Sequence, residues 1–494
     1  MPSQRQSPTP DFPEDIAEQP AAQLVLAGRT QTDHRLFYAG LLGLGLLCIY
    51  YTYAWQEGDI LHLYFGLIIL SLAFLPALQW AYRGDTSFPL MEAFMLTTAN
   101  AYAVPLLTGH QSLLVYPDVV INSSAIVVIC YQVAAIASFN IIGGLPKLTR
   151  FWTEEVISEE FSQFLSYGML ATTAYTFCTT FFHDMVFDRL PRESEGILRA
   201  AFFGLGIICT FITCRRWGLG LLKTHERSSF LTNLILQFFI ICSSLFLING
   251  ISMIVLALLG YISGSRRVPI LAIALIIPPL AILHQGKTAM REKYWEQATH
   301  NDVQLGHVLE FYGEWIGHGL EPSPDSSQSQ TAKLLERTSL LQILCLVVDH
   351  TPEKQDYLWG ETYQHIPGQF IPRFFWPDKP VGHISTYRLS IYYGLQNEED
   401  TRATTIAFGT ISEAYANYGT MGVIGLAIFM GIFFKKISIW TRYSPMLSYG
   451  GLILVILMAW SFQTELTLSI WLSSLFQAIV AVLGIPLVVR SFLN

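Results

Sequence analysis

Two cations held in a proline-locked loop are the first residues of this chain whose types and spacing suggest chemistry. In Ile371-Pro372-Arg373-Phe374-Phe375-Trp376-Pro377-Asp378-Lys379-Pro380, each proline holds φ near −65° and removes a backbone donor, so the stretch is a stiff, shaped loop. Arg373 and Lys379 sit among Phe374, Phe375 and Trp376. In such a setting a fixed positive charge meets an anion beside an apolar or sugar face. The competing reading is a plain proline-rich connector with surface charges.

Further polar groups cluster nearby in the chain. Lys287 and Arg291 are four residues apart and share a helix face, either to bind an anion or to reach the membrane surface as snorkelling cations. Arg337 with Asp349 and His350 offers a base beside a charge clamp, although a histidine at a helix end also serves as a cap. The loop adds Gly360, Tyr363, His365 and His383. Between Gly409 and Gly419, Ser412, Glu413, Tyr415 and Asn417 place a carboxylate and hydrogen-bonding groups where an apolar helix begins. Glu413 either pairs with a loop cation such as Arg373 or touches a sugar hydroxyl and takes its proton. Glu92 is an isolated charge within a span, a candidate by default, yet close enough to the cytoplasmic end to snorkel.

The elements that must position these groups are membrane helices. The chain has 494 residues, 52% hydrophobic and 13% charged, with mean hydropathy +0.41, whereas soluble domains carry roughly 25% charged residues. A net charge of −8 with no basic run excludes nucleic acid as a partner. Cys48, Cys130, Cys178, Cys209, Cys214, Cys242 and Cys345 lie in apolar stretches and read as small hydrophobes, without a disulfide framework or metal pair. No nucleotide, hydrolase or metalloprotease motif stands in a suitable context, so no metal and no cofactor are expected.

Stretches of about 20 apolar residues predict spans near 36–55, 60–80, 88–108, 119–142, 161–182, 197–214, 230–247, 250–263, 268–285, 406–433, 447–463 and 468–489. The chain is therefore expected to be an all-α polytopic membrane protein with about twelve transmembrane helices. Placing the N-terminus inside puts most cations on the cytoplasmic side and leaves the short outer loops near residues 57, 113, 249 and 465 free of Lys and Arg. The same charge pattern divides 230–263 into two helices at Leu247-Ile248-Asn249-Gly250. Only the loop 183–199 breaks it, with Arg189, Arg192 and Arg199 reading as anion contacts or as partners of Asp184, Asp188, Glu193 and Glu195. No internal repeat is evident.

The organisation that follows is a disordered cytoplasmic tail over 1–34, nine transmembrane helices over 35–285, one large periplasmic loop over 286–405, and three last helices over 406–494. Both termini then face the cytoplasm. In the loop, a helix is expected over 289–318, a polar linker over Ser323–Gln330, and an amphipathic helix over Ala332–Val348 lying on the membrane. His350-Thr351-Pro352 should stop that helix.

Arg337, His350-Thr351-Pro352, Gly360-Glu361-Thr362-Tyr363, Ile371-Pro372-Arg373 through Lys379-Pro380, and Glu413-Ala414-Tyr415-Ala416-Asn417-Tyr418-Gly419 follow one another in a late outer loop. This order resembles the Wzy-type O-antigen and oligosaccharide repeat-unit polymerases of bacteria. The resemblance covers residues 285–432 and is architectural elsewhere. It implies a GT-C-like glycosyltransferase of the bacterial inner membrane. Such an enzyme polymerises undecaprenyl-diphosphate-linked repeat units at the periplasmic face into O-antigen, capsular or exopolysaccharide.

The resemblance implies a lipid-linked oligosaccharide as both donor and acceptor, with membrane lipids, a flippase and a chain-length regulator as partners. The diphosphate leaving group calls for preorganised cations. Arg373 is the first choice as clamp, followed by Arg337 and Lys287, with Lys379 and Arg291 as further diphosphate ligands. The base stays open between His350, Glu413 and His365. Trp376, Phe374, Tyr415 and Tyr418 suit sugar stacking, with Tyr363 and Asn417 as further sugar contacts. Rival readings are an O-antigen ligase-like transferase and a transporter or flippase of lipid-linked glycans. A carrier should place its charges along a path inside the bundle, whereas here they crowd one face.

Overall fold

The computed structural model describes residues 34–55, 58–83, 89–143, 161–182, 192–245, 247–265, 268–291, 293–294, 305–320, 339–371, 376, 379–403, 405–441, 444 and 448–493. A helix covers each predicted apolar stretch. The order is α1 Arg35–Ala54, α2 Ile60–Arg83, α3 Leu90–Leu107, α4 Asp118–Ile141, α5 Phe161–Phe181, α6 Arg192–Gly218, α7 Thr224–Cys242, α8 Leu247–Ser265 and α9 Ile270–Arg291. The loop contributes α10 Val308–Leu320, α11 Leu341–His350 and α12 Ile384–Tyr392, and the chain closes with α13 Gly409–Thr441, α14 Tyr449–Ser461 and α15 Leu468–Leu493. Among the described residues, 6 helices (α1 to α4, α9 and α13) are long and apolar enough to cross a membrane.

Backbone contact at small residues brings these helices together, as expected where lipid removes the hydrophobic drive for association. Gly260 and Gly264 of α8 lie against the Phe211 and Arg215 carbonyls of α6, with no room for a Cβ. α4 packs along α13, and Phe434 of α13 meets Phe94 of α3 and Trp471 of α15 in the same core. In α3, Ala99–Ala103 forms a π turn. The Ala101 carbonyl within it accepts the Leu340 N–H at 3.1 Å, tying the entrance of α11 to the bundle.

Three local expectations are corrected. The division between α7 and α8 falls at Ser243–Leu245, earlier than Leu247–Gly250, because Leu245 adopts φ 59° and its carbonyl accepts from the Arg291 guanidinium at 2.9 Å. The helix expected over 289–318 is not continuous. α9 is described to Arg291, residues 295–304 lie outside the described residues, and α10 from Val308, after a 3-10 turn at Leu305–His307, packs back on α9 through Trp315, whose Nε1 donates to the Leu283 carbonyl at 2.6 Å. Finally, α11 begins at Leu341, and its buried face of Leu341, Leu344, Cys345 and Val347 packs on α4 and α13 instead of resting on lipid. Periodicity alone does not distinguish a lipid-facing stripe from a protein-facing one. The helix stops at His350, as expected. The N-terminal tail through residue 33 and the linker Ser323–Gln330 lie outside the described residues, as do Arg189, Arg337, Pro372–Phe375, Pro377 and Asp378.

Candidate functional site

The break in α13 organises the site. Tyr418 (φ −144°, ψ 20°) and Gly419 (φ 58°, ψ −152°) leave the helical conformation, so the carbonyls before them lose their partners one turn ahead. The Leu358–Tyr363 segment takes those partners' place. Leu358 N–H donates to the Ala416 carbonyl at 3.0 Å and Trp359 N–H to the Asn417 carbonyl at 3.2 Å. The Asn417 side chain completes the join, accepting from Gly360 N at 2.9 Å while its Nδ2 donates to Thr362 Oγ1 and to the Glu413 carbonyl, each at 2.8 Å. Glycine is required on both sides. A Cβ at Gly360 (φ 90°) would strike the Tyr418 hydroxyl, and one at Gly419 would meet that of Tyr357.

Glu413 lies one turn before Asn417 and is 0% exposed. Its Oε2 accepts the Leu468 N–H at 2.6 Å, at the first residue of α15, where the helix dipole favours negative charge. Its Oε1 is buried without a well-formed hydrogen bond among the described residues, and the Thr362 hydroxyl is the polar side chain beside the carboxylate. Among the described residues the carboxylate is anchored at a helix N-terminus, and the expected pairing with Arg373 lies outside them. Tyr363 stands close by. Its phenol is held well above the ordinary value, by burial first and then by the charge of Glu413 and the neighbouring Tyr418. The Tyr363 and Tyr418 rings stack at 6.4 Å, and Trp359 meets Tyr418 edge-on at 6.2 Å and Tyr357 at 5.6 Å. Trp359 is 66% exposed and Tyr418 42%, so one side of this aromatic group is open.

A second layer holds the segment in place. Glu361 takes Arg388 of α12 through two bonds of 2.7 and 3.1 Å, Arg388 lies over the Tyr392 ring, and Ser385 Oγ donates to the Thr362 carbonyl at 2.7 Å. Thr362, Tyr357, Trp359 and Arg388 were not singled out as site residues in the sequence. Thr362 stands inside a recognisable motif, whereas Arg388 carries no sequence signal because its partner lies on another element.

The remaining candidates separate into groups. Lys379 is 8% exposed, and its ammonium donates to the Ile371 carbonyl at 2.7 Å and the Gln369 carbonyl at 3.2 Å, so it braces the proline loop from within. Trp376, 42% exposed, lies against Gly368, and Phe370 anchors the loop on Phe476 of α15. Arg373 and Arg337 fall outside the described residues. Lys287 and Arg291 are on the last turns of α9, and Arg291 is committed to the Leu245 carbonyl. Their helix neighbours Leu283 and Met290 pack with Trp315, in a cluster separate from the one holding Ala416. His350 closes α11 with Nδ1 at 3.0 Å from the Leu346 carbonyl and 3.5 Å from Asp349, which leaves Nε2 as its available nitrogen. Tyr415 packs beside Tyr393 and Val347. His365 lies in the same turn as Tyr363, 3.5 Å from the Gln364 amide. Glu92 is buried in the first turn of α3, where a helix N-terminus accommodates a carboxylate. Arg199 lies on α6, exposed.

Fold and hydropathy define the class as an all-helical chain with several helices able to span a membrane. Residues 247–454 match a family model described as a domain of unknown function, DUF8712. That stretch runs from α8 into α14 and contains both the loop and Glu413. No curated protein and no solved structure matches the chain.

Proposed function

We propose that the chain is a lipid-diphosphate-linked glycan polymerase, in which Glu413 acts as the base for the acceptor sugar. The observation that carries this reading is the buried Glu413 carboxylate at the α13 break, with one oxygen anchored on α15 and the other without a well-formed hydrogen bond among the described residues, beside a half-open group of Tyr and Trp rings. In the proposed reaction an acceptor hydroxyl attacks the anomeric carbon of the donor's reducing-end sugar while Glu413 Oε1 takes its proton. The bond from that carbon to the diphosphate oxygen breaks, and undecaprenyl diphosphate departs with the electron pair. A positioned base of this kind contributes about 10²- to 10⁴-fold. Arg373 and Arg337 are the cations proposed to stabilise the leaving diphosphate in a poorly hydrated site, since Lys379 and Arg291 are bound to carbonyls. Trp359, Tyr418 and Tyr363 offer faces for sugar rings.

The interruption of α13 is also a feature of carriers. It lies in the first third of the helix, however, and the remaining stretch from Thr420 to Thr441 is by itself long enough to cross a bilayer. The test is the purified protein in nanodiscs with a synthetic undecaprenyl-diphosphate repeat unit. Wild type is expected to build a ladder of longer lipid-linked glycans without nucleotide sugar, and Arg373→Ala and Glu413→Gln to lose it. Absence of a ladder from a verified substrate, with the glycolipid instead crossing proteoliposome membranes, would replace the polymerase by a carrier.

A further inference from the structure

Away from Glu413, Asp59, His62 and Asp118 converge where α2 and α4 begin, with one ligating atom of each within 4.8 Å of the others. His62 Nε2 lies 3.6 Å from Asp118 Oδ1, too far for a hydrogen bond, and the atom is buried with no partner among the described residues. A buried ring nitrogen left unsatisfied is unfavourable in a native structure. Asn122, one turn into α4, joins the group through Nδ2, which donates to Asp59 Oδ2 at 3.1 Å, while its own Oδ1 is buried with no partner among the described residues. The cluster thus combines two acidic side chains with two orphaned acceptors of different chemistry. A carboxylate pair alone would not explain the orphaned imidazole.

We propose that Asp59, His62 and Asp118 form a site for a divalent metal ion of the zinc type that clips α2 to α4. One imidazole nitrogen with two carboxylate oxygens suits zinc better than calcium or magnesium, which favour all-oxygen sets. Asn122 Oδ1 or a water supplies the fourth position. With tetrahedral metal–ligand bonds of about 2.0–2.2 Å, neighbouring ligand atoms stand about 3.3–3.6 Å apart, so the cluster, whose atoms lie within 4.8 Å of one another, must close in around the ion. Asp118, with 68% of its side chain exposed, is free to make that movement, whereas the His62 ring is 13% exposed and held. The Asp59 carboxylate is held in place by the Leu61 N–H at 3.0 Å on Oδ1 and the Asn122 amide at 3.1 Å on Oδ2. The clip sits at the end of the bundle that meets α11, since residues 111–113 ahead of α4 pack on that helix. It is independent of the polymerase reading.

The test uses the full-length protein carrying a tag without histidines, stripped with chelator and titrated with Zn²⁺ in detergent, with Co²⁺ absorption as a spectroscopic check. One equivalent of Zn²⁺ is expected to bind and raise the unfolding temperature, and His62→Gln and Asp118→Ala are each expected to weaken binding by at least about 100-fold. Asp118 is exposed, so Asp118→Ala reports even where His62→Gln fails to fold. No Zn²⁺-dependent shift in wild type, equal uptake in Asp118→Ala, or binding of Mg²⁺ or Ca²⁺ in preference to Zn²⁺ would overturn the site.

Discussion

Glu413 has one oxygen in a structural contact and the other in the proposed role as base, and the division makes the two separable. Oε2 satisfies the Leu468 N–H at the start of α15. Glu413→Ala leaves that donor buried and unpaired, so it is expected to lower stability by about 1–3 kcal/mol in thermal unfolding. Glu413→Gln retains an acceptor for Leu468 and should fold close to wild type, yet lose about 10²- to 10⁴-fold in polymer formation as the base disappears. A fully active Glu413→Gln would leave only the capping role. Arg291 illustrates the opposite case, a cation whose guanidinium satisfies the Leu245 carbonyl at a helix break. Its spacing from Lys287 was readable in the sequence, and its commitment to a backbone carbonyl was not.

At the scale of elements, the site depends on an interrupted helix that hands its carbonyls to a neighbouring segment. Gly419 holds φ 58° and ψ −152°, a region essentially reserved for glycine, and stands against the Tyr357 hydroxyl. Gly419→Ala is expected to destabilise by about 1–3 kcal/mol or more and to disturb the Leu358–Ala416 pairing, which slowed hydrogen exchange at Leu358 in wild type but not the variant would report. The α9–α10 contact responds to pH through Glu314. Burial pushes its carboxyl up, but the Lys293 ammonium at 2.6 Å and the Tyr294 hydroxyl at 3.1 Å outweigh this and hold it below the ordinary range. The folded value is thus the lower one, so the unfolded chain takes up the proton first as pH falls. The stabilisation is present above about pH 4.5 and is lost below it. Stability measured from about pH 6 to pH 3.5 should fall less steeply in Glu314→Gln than in wild type, by under about 1 kcal/mol for so exposed a pair.

At the scale of the whole molecule, the proposed topology puts residues 286–405 and the start of α13 on one face of the membrane. Reporter fusions after Leu320 should be active only as exported domains, and fusions at the N-terminus only inside the cell. An exported N-terminal reporter would invert the bundle and remove the site from the periplasm. The apolar stretches foretold where a helix would stand, because hydrocarbon tolerates only backbone whose hydrogen bonds are closed within the segment. Loop helices were less legible. α11 and α10 are short, and their stripes of Leu, Val and aromatic residues fit a membrane surface as well as a protein groove.

The sequence by itself determined the helical, membrane-directed class, the positions of the long helices and the stop at His350, since each of these follows from composition, local propensity or special backbone residues. Only the tertiary structure decided which polar groups meet. It joined Asn417 to Gly360 and Thr362, placed Glu413 on α15, turned Lys379 into its own loop and gathered Asp59, His62 and Asp118. Those partners lie on different elements, and a hydrogen bond or ligand set between distant segments depends on directions and distances in space that residue type and spacing along the chain do not encode.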